Sequence, residues 1–322
     1  MKVLVTGCAG FIGFHVCLRL IQEGMTVIGV DNCNSYYDPN IKVDRLAVIK
    51  DADPSFTFTH LDISNPAVVH DFFSNHAGFD IVVHLAAQAG VRYSLEKPFD
   101  YIDANVTGFL SILESCRRFP VQHLVYASSS SVYGANTKVP FSEDDPVVQP
   151  VSLYAVTKRS NELMAHTYSN LFGIPTTGLR FFTVYGPWGR PDMAYWSFTK
   201  SIIAGSPIPV FGGGKLSRDF TYIDDIVESI FRLLNKAPAG LVPARILNIG
   251  KSEPVSVDAL IQTIERALAL KAEKIFSEKP LGDVECTYAD SSKLNELTGF
   301  KPATSIEHGI QKFVSWFKSY AK

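Results

Sequence analysis

Thr6-Gly7-Cys8-Ala9-Gly10-Phe11-Ile12-Gly13, read between the apolar run Val3–Thr6 and the amphipathic stretch Phe11–Gln22, decides the fold. A short strand enters a turn with glycines at every third position, and a helix leaves it. Glycine at those positions permits a tight turn, close approach of backbone to a ligand, and a helix N-terminus whose free N–H groups face an anion. The next apolar run, Thr26–Asp31, ends on an acid 18 residues past Gly13. A carboxylate there suits the hydroxyls of an adenine ribose and repels a 2′-phosphate, so the pattern points to NAD rather than NADP.

Outward from this turn the first half keeps the same rhythm. Phe56–Leu61, Ile81–Leu85, His123–Ala127 and Thr176–Phe181 read as further buried strands, and Pro66–Asn75, Pro98–Arg117 and Ser152–Leu171 as helices. Short strands separated by helices imply right-handed crossovers and a parallel sheet covered on both faces. The expectation is an α/β protein, a Rossmann-type doubly wound parallel sheet with a smaller α/β substrate-binding domain. Residues 1–180 form the first domain and 181–322 the second, with a segment near 219–250 returning to the first. Beyond residue 180 turn-rich stretches interrupt shorter elements, and helical patterns recur at Asp224–Asn235, Ser256–Ala269 and Ser305–Tyr320.

Composition narrows the class. The chain has 322 residues, 46% hydrophobic and 19% charged, enough to build a core. Thirty Lys+Arg against 32 Asp+Glu leaves a net charge of −2, so no basic field points to nucleic acid. Five scattered cysteines without a CxxC pair fit a reducing compartment, hence the cytoplasm, and no metal-ligand spacing is present. Met1–Val5 starts like a secretion signal, but Gly7, Gly10 and Gly13 interrupt it, and no stretch reaches the roughly 20 apolar residues of a membrane span.

Two further segments carry chemistry. Ala127-Ser128-Ser129-Ser130-Ser131-Val132-Tyr133-Gly134 follows the fifth strand, at the edge where open α/β sheets bind ligands. Tyr154-Ala155-Val156-Thr157-Lys158 puts a phenol and an ammonium on one helix face. A free tyrosine titrates near pH 10, but a neighbouring ammonium and a positive nicotinamide both favour the phenolate. Tyr154 is then a candidate base for taking a proton from a substrate hydroxyl.

With these motifs, and with Leu61-Asp62-Ile63, His84-Leu85-Ala86-Ala87 and Asn105, the chain resembles the extended short-chain dehydrogenase/reductase family. The resemblance implies a catalytic set of Ser129, Tyr154 and Lys158. It implies a cofactor site of Gly7, Gly10, Phe11, Ile12, Gly13, Asp31, Asn32, Asn34, Ser35, Asp62, Ile63, Leu85, Ala86, Ala87, Gln88, Asn105, Tyr154 and Lys158 around tightly held NAD. Related dehydratases carry an acid pair after the serine or threonine, and decarboxylases an acid before Val-Tyr-Gly. Ser130 and Ser131 stand at those positions here, which leaves re-reduction of the ketose, and so epimerisation, as the outcome.

Arg180–Ala194, Phe198-Thr199-Lys200, Arg218–Asp225 and Asp31–Asp38 are similar to the uronic-acid branch of the sugar-nucleotide epimerases. That likeness implies C4 epimerisation of UDP-glucuronate through a 4-keto sugar. The UDP-sugar contacts it implies are Gly90, Val91, Arg92, Ser129, Ser130, Ser131, Thr183, Arg190, Val210, Phe211, Arg218 and Asp283, the small hydroxyls receiving the carboxylate. The branch places Gln or Arg three residues before the Asp of its late Gly-Asp motif, and here Pro280 occupies that place, with Lys279 beside it. A homodimer through the 98–117 and 152–171 helices is implied as well. Two other readings stay open: a UDP-glucose or UDP-N-acetylhexosamine 4-epimerase, and a non-catalytic NAD-binding sensor, against which the intact Ser129, Tyr154 and Lys158 speak.

Overall fold

The computed structural model describes residues 1–278 and 286–320. Chain contacts divide it into two compact units. Met1–Asn136, Glu143–Phe181 and Val227–Leu247 form the first, and Thr137–Ser142, Phe182–Ile226 and Asn248–Lys322 the second.

The chain begins β1 (Lys2–Thr6), α1 (Phe11–Gln22), β2 (Thr26–Asp31), α2 (Asn40–Ala52), β3 (Thr57–His60), α3 (Pro66–Asn75) and β4 (Ile81–His84). Two single-turn helices follow, α4 (Tyr93–Glu96) and α5 (Pro98–Tyr101), then a π-helical stretch, Ile102–Thr107, that runs into α6 (Gly108–Arg118). Next come β5 (His123–Ser129), α7 (Leu153–Phe172) and β6 (Thr176–Phe181). The remainder holds β7 (Thr183–Tyr185), α8 (Ala194–Ile203), β8 (Ile208–Phe211), β9 (Ser217–Tyr222), α9 (Ile223–Leu234) and β10 (Ala244–Ile249). It closes with β11 (Pro254–Ser256), α10 (Val257–Leu268), β12 (Lys274–Ser277), β13 (Cys286–Thr287), α11 (Ser292–Thr298) and α12 (Ile306–Tyr320).

A seven-stranded sheet in the order β10-β6-β5-β4-β1-β2-β3 forms the centre of the first unit. The strand order reverses between β1 and β4, which pair in parallel from Val3–Ile81 to Thr6–His84. A doubly wound sheet binds its ligand beyond the carboxyl ends of the strands at that reversal. Val3, Leu4 and Val5 are fully buried, as expected of a strand covered on both faces. One face packs on α3 and α6, where Phe72, Phe73, Phe109, Ile112 and Leu113 meet Leu4, Val82 and Leu124. Each such side chain contributes about 1.5–3 kcal/mol by leaving water. Helix α7 starts on Ser152, whose Oγ accepts from Ala155 N–H at 3.1 Å, and stops at Gly173 in the left-handed conformation (φ +67°).

Two helical expectations are corrected. The stretch 98–117 is not one helix: Lys97 before Pro98 leaves helical geometry, and Ile102–Thr107 widens to a π-turn. Helix α2 has no counterpart in the sequence reading, because Lys42 and Arg45 take buried positions where periodicity expects apolar residues.

In the second unit β9 pairs with antiparallel β11 and with parallel β7 and β13, and β8 pairs in parallel with β12. Phe313 of α12 packs edge-on against Tyr195 at 4.9 Å, and Phe317 likewise against Trp196 at 5.2 Å. Among the described residues no helix is long and apolar enough to cross a membrane.

Candidate active site

The turn after β1 is shaped by its glycines. Gly7 has φ +72°, and a Cβ there would lie 2.7 Å from the backbone nitrogen of Ala86, just beyond β4. At Gly13 a Cβ would stand 2.1 Å from the Gly7 carbonyl oxygen. At Gly10 the same carbonyl oxygen, 3.0 Å from a built Cβ, is the only close neighbour. Gly10 is the cap residue of α1, no side chain caps the helix, and its first turn carries no acid. The leading N–H groups therefore remain for an anionic ligand at the sheet's reversal point, which fits the pyrophosphate of a dinucleotide.

Asp31, at the end of β2, is buried and accepts from Ala9 N–H at 3.2 Å and Cys33 N–H at 2.8 Å. Lys42 lies 3.7 Å from it, itself buried, so this carboxylate is paired with a cation. Arg45, fully buried, donates to the Ala9 carbonyl and to the Tyr37 hydroxyl, both at 2.9 Å. The sequence pattern gives no sign of Lys42 and Arg45 here, because the helix that carries them buries its cations. Asn32 donates to Asp62 at 3.2 Å and accepts from Asn34 N–H at 3.2 Å, and Asn34 donates to Gln88 at 3.3 Å, so these four residues form one network. Ser35 is exposed, Phe11 is buried, Ile12 is half-buried, and Ile63 is buried beneath Gly108.

The segment after β4 is held from two sides. Thr6 Oγ1 accepts from Ala86 N–H at 3.2 Å and lies 2.8 Å from His84 Nδ1. Burial, and secondarily the charge of Lys158, push the His84 imidazole down to about 3. Asn105, turned inward by the π-stretch, accepts from Gln88 N–H at 2.8 Å and donates to its carbonyl at 3.0 Å. Leu85, Ala86 and Ala87 remain half-buried on this rim.

Ser129 ends β5, and its Oγ accepts from Ser131 N–H at 3.1 Å at the start of a 3₁₀ turn, Ser130–Tyr133. Because that N–H occupies a lone pair, the hydroxyl hydrogen is left to donate elsewhere. Tyr154 is half-buried on the first turn of α7. Lys158, one turn further, is buried and donates to the Ala127 carbonyl at 2.8 Å, and burial pushes its ammonium down to about 8. One more turn along stands Glu162. It accepts from Ser128 at 2.7 Å, from Arg180 at 2.8 and 3.0 Å, and from Arg159 at 2.9 Å. Burial alone would raise this carboxyl, but the hydrogen bonds and charge of Arg180 lead the groups that hold it below the usual range. Glu162 continues the four-residue spacing of Tyr154 and Lys158, a signal present in the sequence.

In the second unit Thr183 opens β7, opposite Phe220 of β9. Arg190 donates to Asp192 through Nε and Nη2, at 3.0 and 2.5 Å. Val210 is buried and Phe211 half-buried in β8, and Arg218 donates to the Ser217 carbonyl at 2.8 Å. In the first unit Gly90 takes φ +100°, and Val91 and Arg92 are exposed ahead of α4. Asp283, with Lys279 and Pro280, lies outside the described residues. Among the described residues no cluster of three or more His, Cys, Asp or Glu is placed to hold a metal.

A parallel sheet of this order, a glycine turn at its reversal point and a Tyr–Lys helix beside a serine-rich strand end define a Rossmann-type dinucleotide protein. The profile of the NAD dependent epimerase/dehydratase family matches residues 3–250, and the chain belongs to that family. A probable UDP-glucuronate 4-epimerase of Rhizobium meliloti (strain 1021) is 45% identical over 332 residues, covering 98% of this chain and 97% of that one. UDP-glucuronate 4-epimerase 1 of Arabidopsis thaliana is 46% identical, covering 99% of this chain and 77% of its relative. The crystal structure of UDP-glucuronic acid 4-epimerase from Bacillus cereus, in complex with UDP-glucuronic acid and NAD, superposes with a TM-score of 0.91 at 34% identity, covering 99% and 100% of the two chains.

Proposed function

We propose that this protein is a UDP-glucuronate 4-epimerase that interconverts UDP-glucuronate and UDP-galacturonate. The observation that carries the reading is the Ser129–Ser131 turn at the end of β5, where acid-catalysed elimination would need a carboxyl group and hydroxyls stand instead. NAD, when bound, supplies the hydride acceptor that becomes the donor of the return step. The chain's own residues do the rest. Tyr154 takes the proton of the sugar's 4-hydroxyl and later returns it, with the Lys158 ammonium favouring the phenolate. Ser129, its lone pair held by Ser131 N–H, points its hydrogen at the reacting oxygen. Gly7, Gly10 and Gly13 with the start of α1 seat the pyrophosphate, Asp31 the adenine ribose, and Asn105 fixes the strand exit alongside the nicotinamide. Ser130, Ser131 and Thr183 receive the sugar carboxylate, Arg190 and Arg218 the diphosphate and uridine, and Phe211 stacks on uracil.

On this reading the first unit holds the cofactor and the second contributes UDP-sugar contacts. The enzyme works in the cytoplasm as a homodimer. The apolar side chains of Phe99, Leu110, Val156 and Leu163, each at least 40% exposed, support pairing through α5–α6 and α7. A monomeric mass by light scattering would overturn that.

The test is incubation of purified protein with UDP-glucuronate and chromatography of the products. UDP-galacturonate is expected, and its absence, or a UDP-pentose alone, refutes the reading. Replacing Tyr154 by Phe is expected to lower kcat by roughly 10²–10⁴-fold with NAD still bound. An NAD-binding sensor would be indifferent to that change.

A further inference from the structure

The tyrosines around Gly90 have no part in the reaction as derived, yet they connect two parts of the site. Tyr101, the last residue of α5, is fully buried. Its hydroxyl is shared between the carbonyls of Ala89 at 2.8 Å and Gly90 at 2.5 Å. Its ring meets that of Tyr154 edge-on, centroids 6.0 Å apart at 78°. Asn105, four residues on, holds the Gln88 carbonyl, so one helical segment supplies a donor to each successive carbonyl from 88 to 90. The same asparagine donates to Thr157 Oγ1 at 3.0 Å, and Thr157 donates to the Tyr154 carbonyl at 2.8 Å. Gly90 takes φ +100°, a conformation that an unsupported loop would leave readily, and a Cβ there would lie 2.3 Å from the Tyr36 hydroxyl.

We propose that Tyr101 is a positioning residue that fixes the Gly90–Arg92 segment and the Tyr154 ring in one register. This rests on the epimerase reading, in which that segment lines the UDP-sugar and Tyr154 is the base. The hydroxyl and the ring do separable things. The hydroxyl restrains the 89–90 carbonyls, and thereby where the sugar lies. The ring restrains Tyr154, and thereby whether the proton leaves in line.

Two variants divide these roles. Tyr101→Phe keeps the ring and removes the donor. It should raise the KM for UDP-glucuronate roughly tenfold, the worth of one buried hydrogen bond, with kcat within about threefold of the parent. Tyr101→Leu removes both, and should lower kcat by a further tenfold or more at saturating substrate. Bound NAD, measured from the nucleotide released on denaturation, should stay stoichiometric in both variants. Wild-type KM in Tyr101→Phe overturns the proposal, as does a raised KM accompanied by a parallel fall in kcat and NAD content, the mark of general unfolding. Tyr154→Phe runs alongside. Full turnover in that variant refutes the epimerase reading and this role with it, whereas an inactive Tyr154→Phe beside an unaffected Tyr101→Phe refutes the role of Tyr101 alone.

Discussion

Gly10 and Gly13 share a turn but answer to different constraints. At Gly13 a methyl group would penetrate the Gly7 carbonyl, and backbone cannot step aside as a flexible side chain can. Gly13→Ala should therefore cost on the order of 2–4 kcal/mol of folding stability, read as a lowered urea midpoint. At Gly10 a methyl group would press on the same oxygen from 3.0 Å, a contact relieved by a shift of a few tenths of an ångström, so Gly10→Ala should cost only about 1 kcal/mol. Its loss should fall on NAD, seen as substoichiometric nucleotide in the purified protein. Arg190 shows a second residue-scale tension. Asp192 holds Nε and Nη2 of the guanidinium that the proposed function assigns to phosphate, and so competes for its charge and for part of its donor set. Asp192→Asn should lower the KM for the UDP-sugar by about threefold, and Arg190→Ala should raise it by tenfold or more, in steady-state assays at fixed ionic strength. An increase in KM for Asp192→Asn would mean that the acid positions the arginine rather than competing for it.

At the scale of elements, the sheet and its order were readable because buried parallel strands are apolar throughout and helices between them are not. Strands β2 and β6 and helices α1 and α3 begin and end where the pattern places them. What periodicity missed is charge turned inward. Helix α2 buries Lys42 and Arg45 against Asn34, Ala9 and Tyr37, and a pattern that treats cations as solvated sees no helix there. The π-stretch of 102–107 is likewise invisible, since the extra residue in its turn is set by what Tyr101 and Asn105 grip. The chemistry-bearing motifs were legible by order along the chain, but the support beneath them was not. Glu162 on α7 binds Ser128 of β5 and Arg180 of β6, tying three elements at one buried carboxylate. Glu162→Gln leaves Arg180 as a buried cation without its counter-charge, and should cost about 3–5 kcal/mol in urea unfolding. Replacing both partners by leucine should cost less than the single change.

For the whole molecule, two imidazoles make stability depend on pH. His123, fully buried, lies 3.0 Å from the Leu234 carbonyl and 2.7 Å from Thr177 Oγ1, and burial pushes its pKa down to about 4, as burial holds that of His84 near 3. The unfolded chain protonates these rings near 6.5, before the folded chain does. Their contribution is therefore complete above pH 6.5 and is lost as pH falls towards 4 and 3. Between pH 7 and 5 the loss should be about 2 kcal/mol for each ring, read from urea midpoints, and His123→Gln should flatten the curve. Equal midpoints at the two pH values would refute it.

Strand β10 has a consequence for how the protein is made. Every residue of β6 is buried, and its outer neighbour in the sheet is β10, which begins 63 residues after β6 ends. On a ribosome adding about 5–20 residues per second, the nascent sheet presents an unfinished edge for roughly 3–13 s. Such an edge is a template on which other chains can pair. Yield of this protein should thus follow the pace of synthesis over the 182–249 stretch, and a chain halted before residue 244 should expose the β6 edge and aggregate more than the full chain.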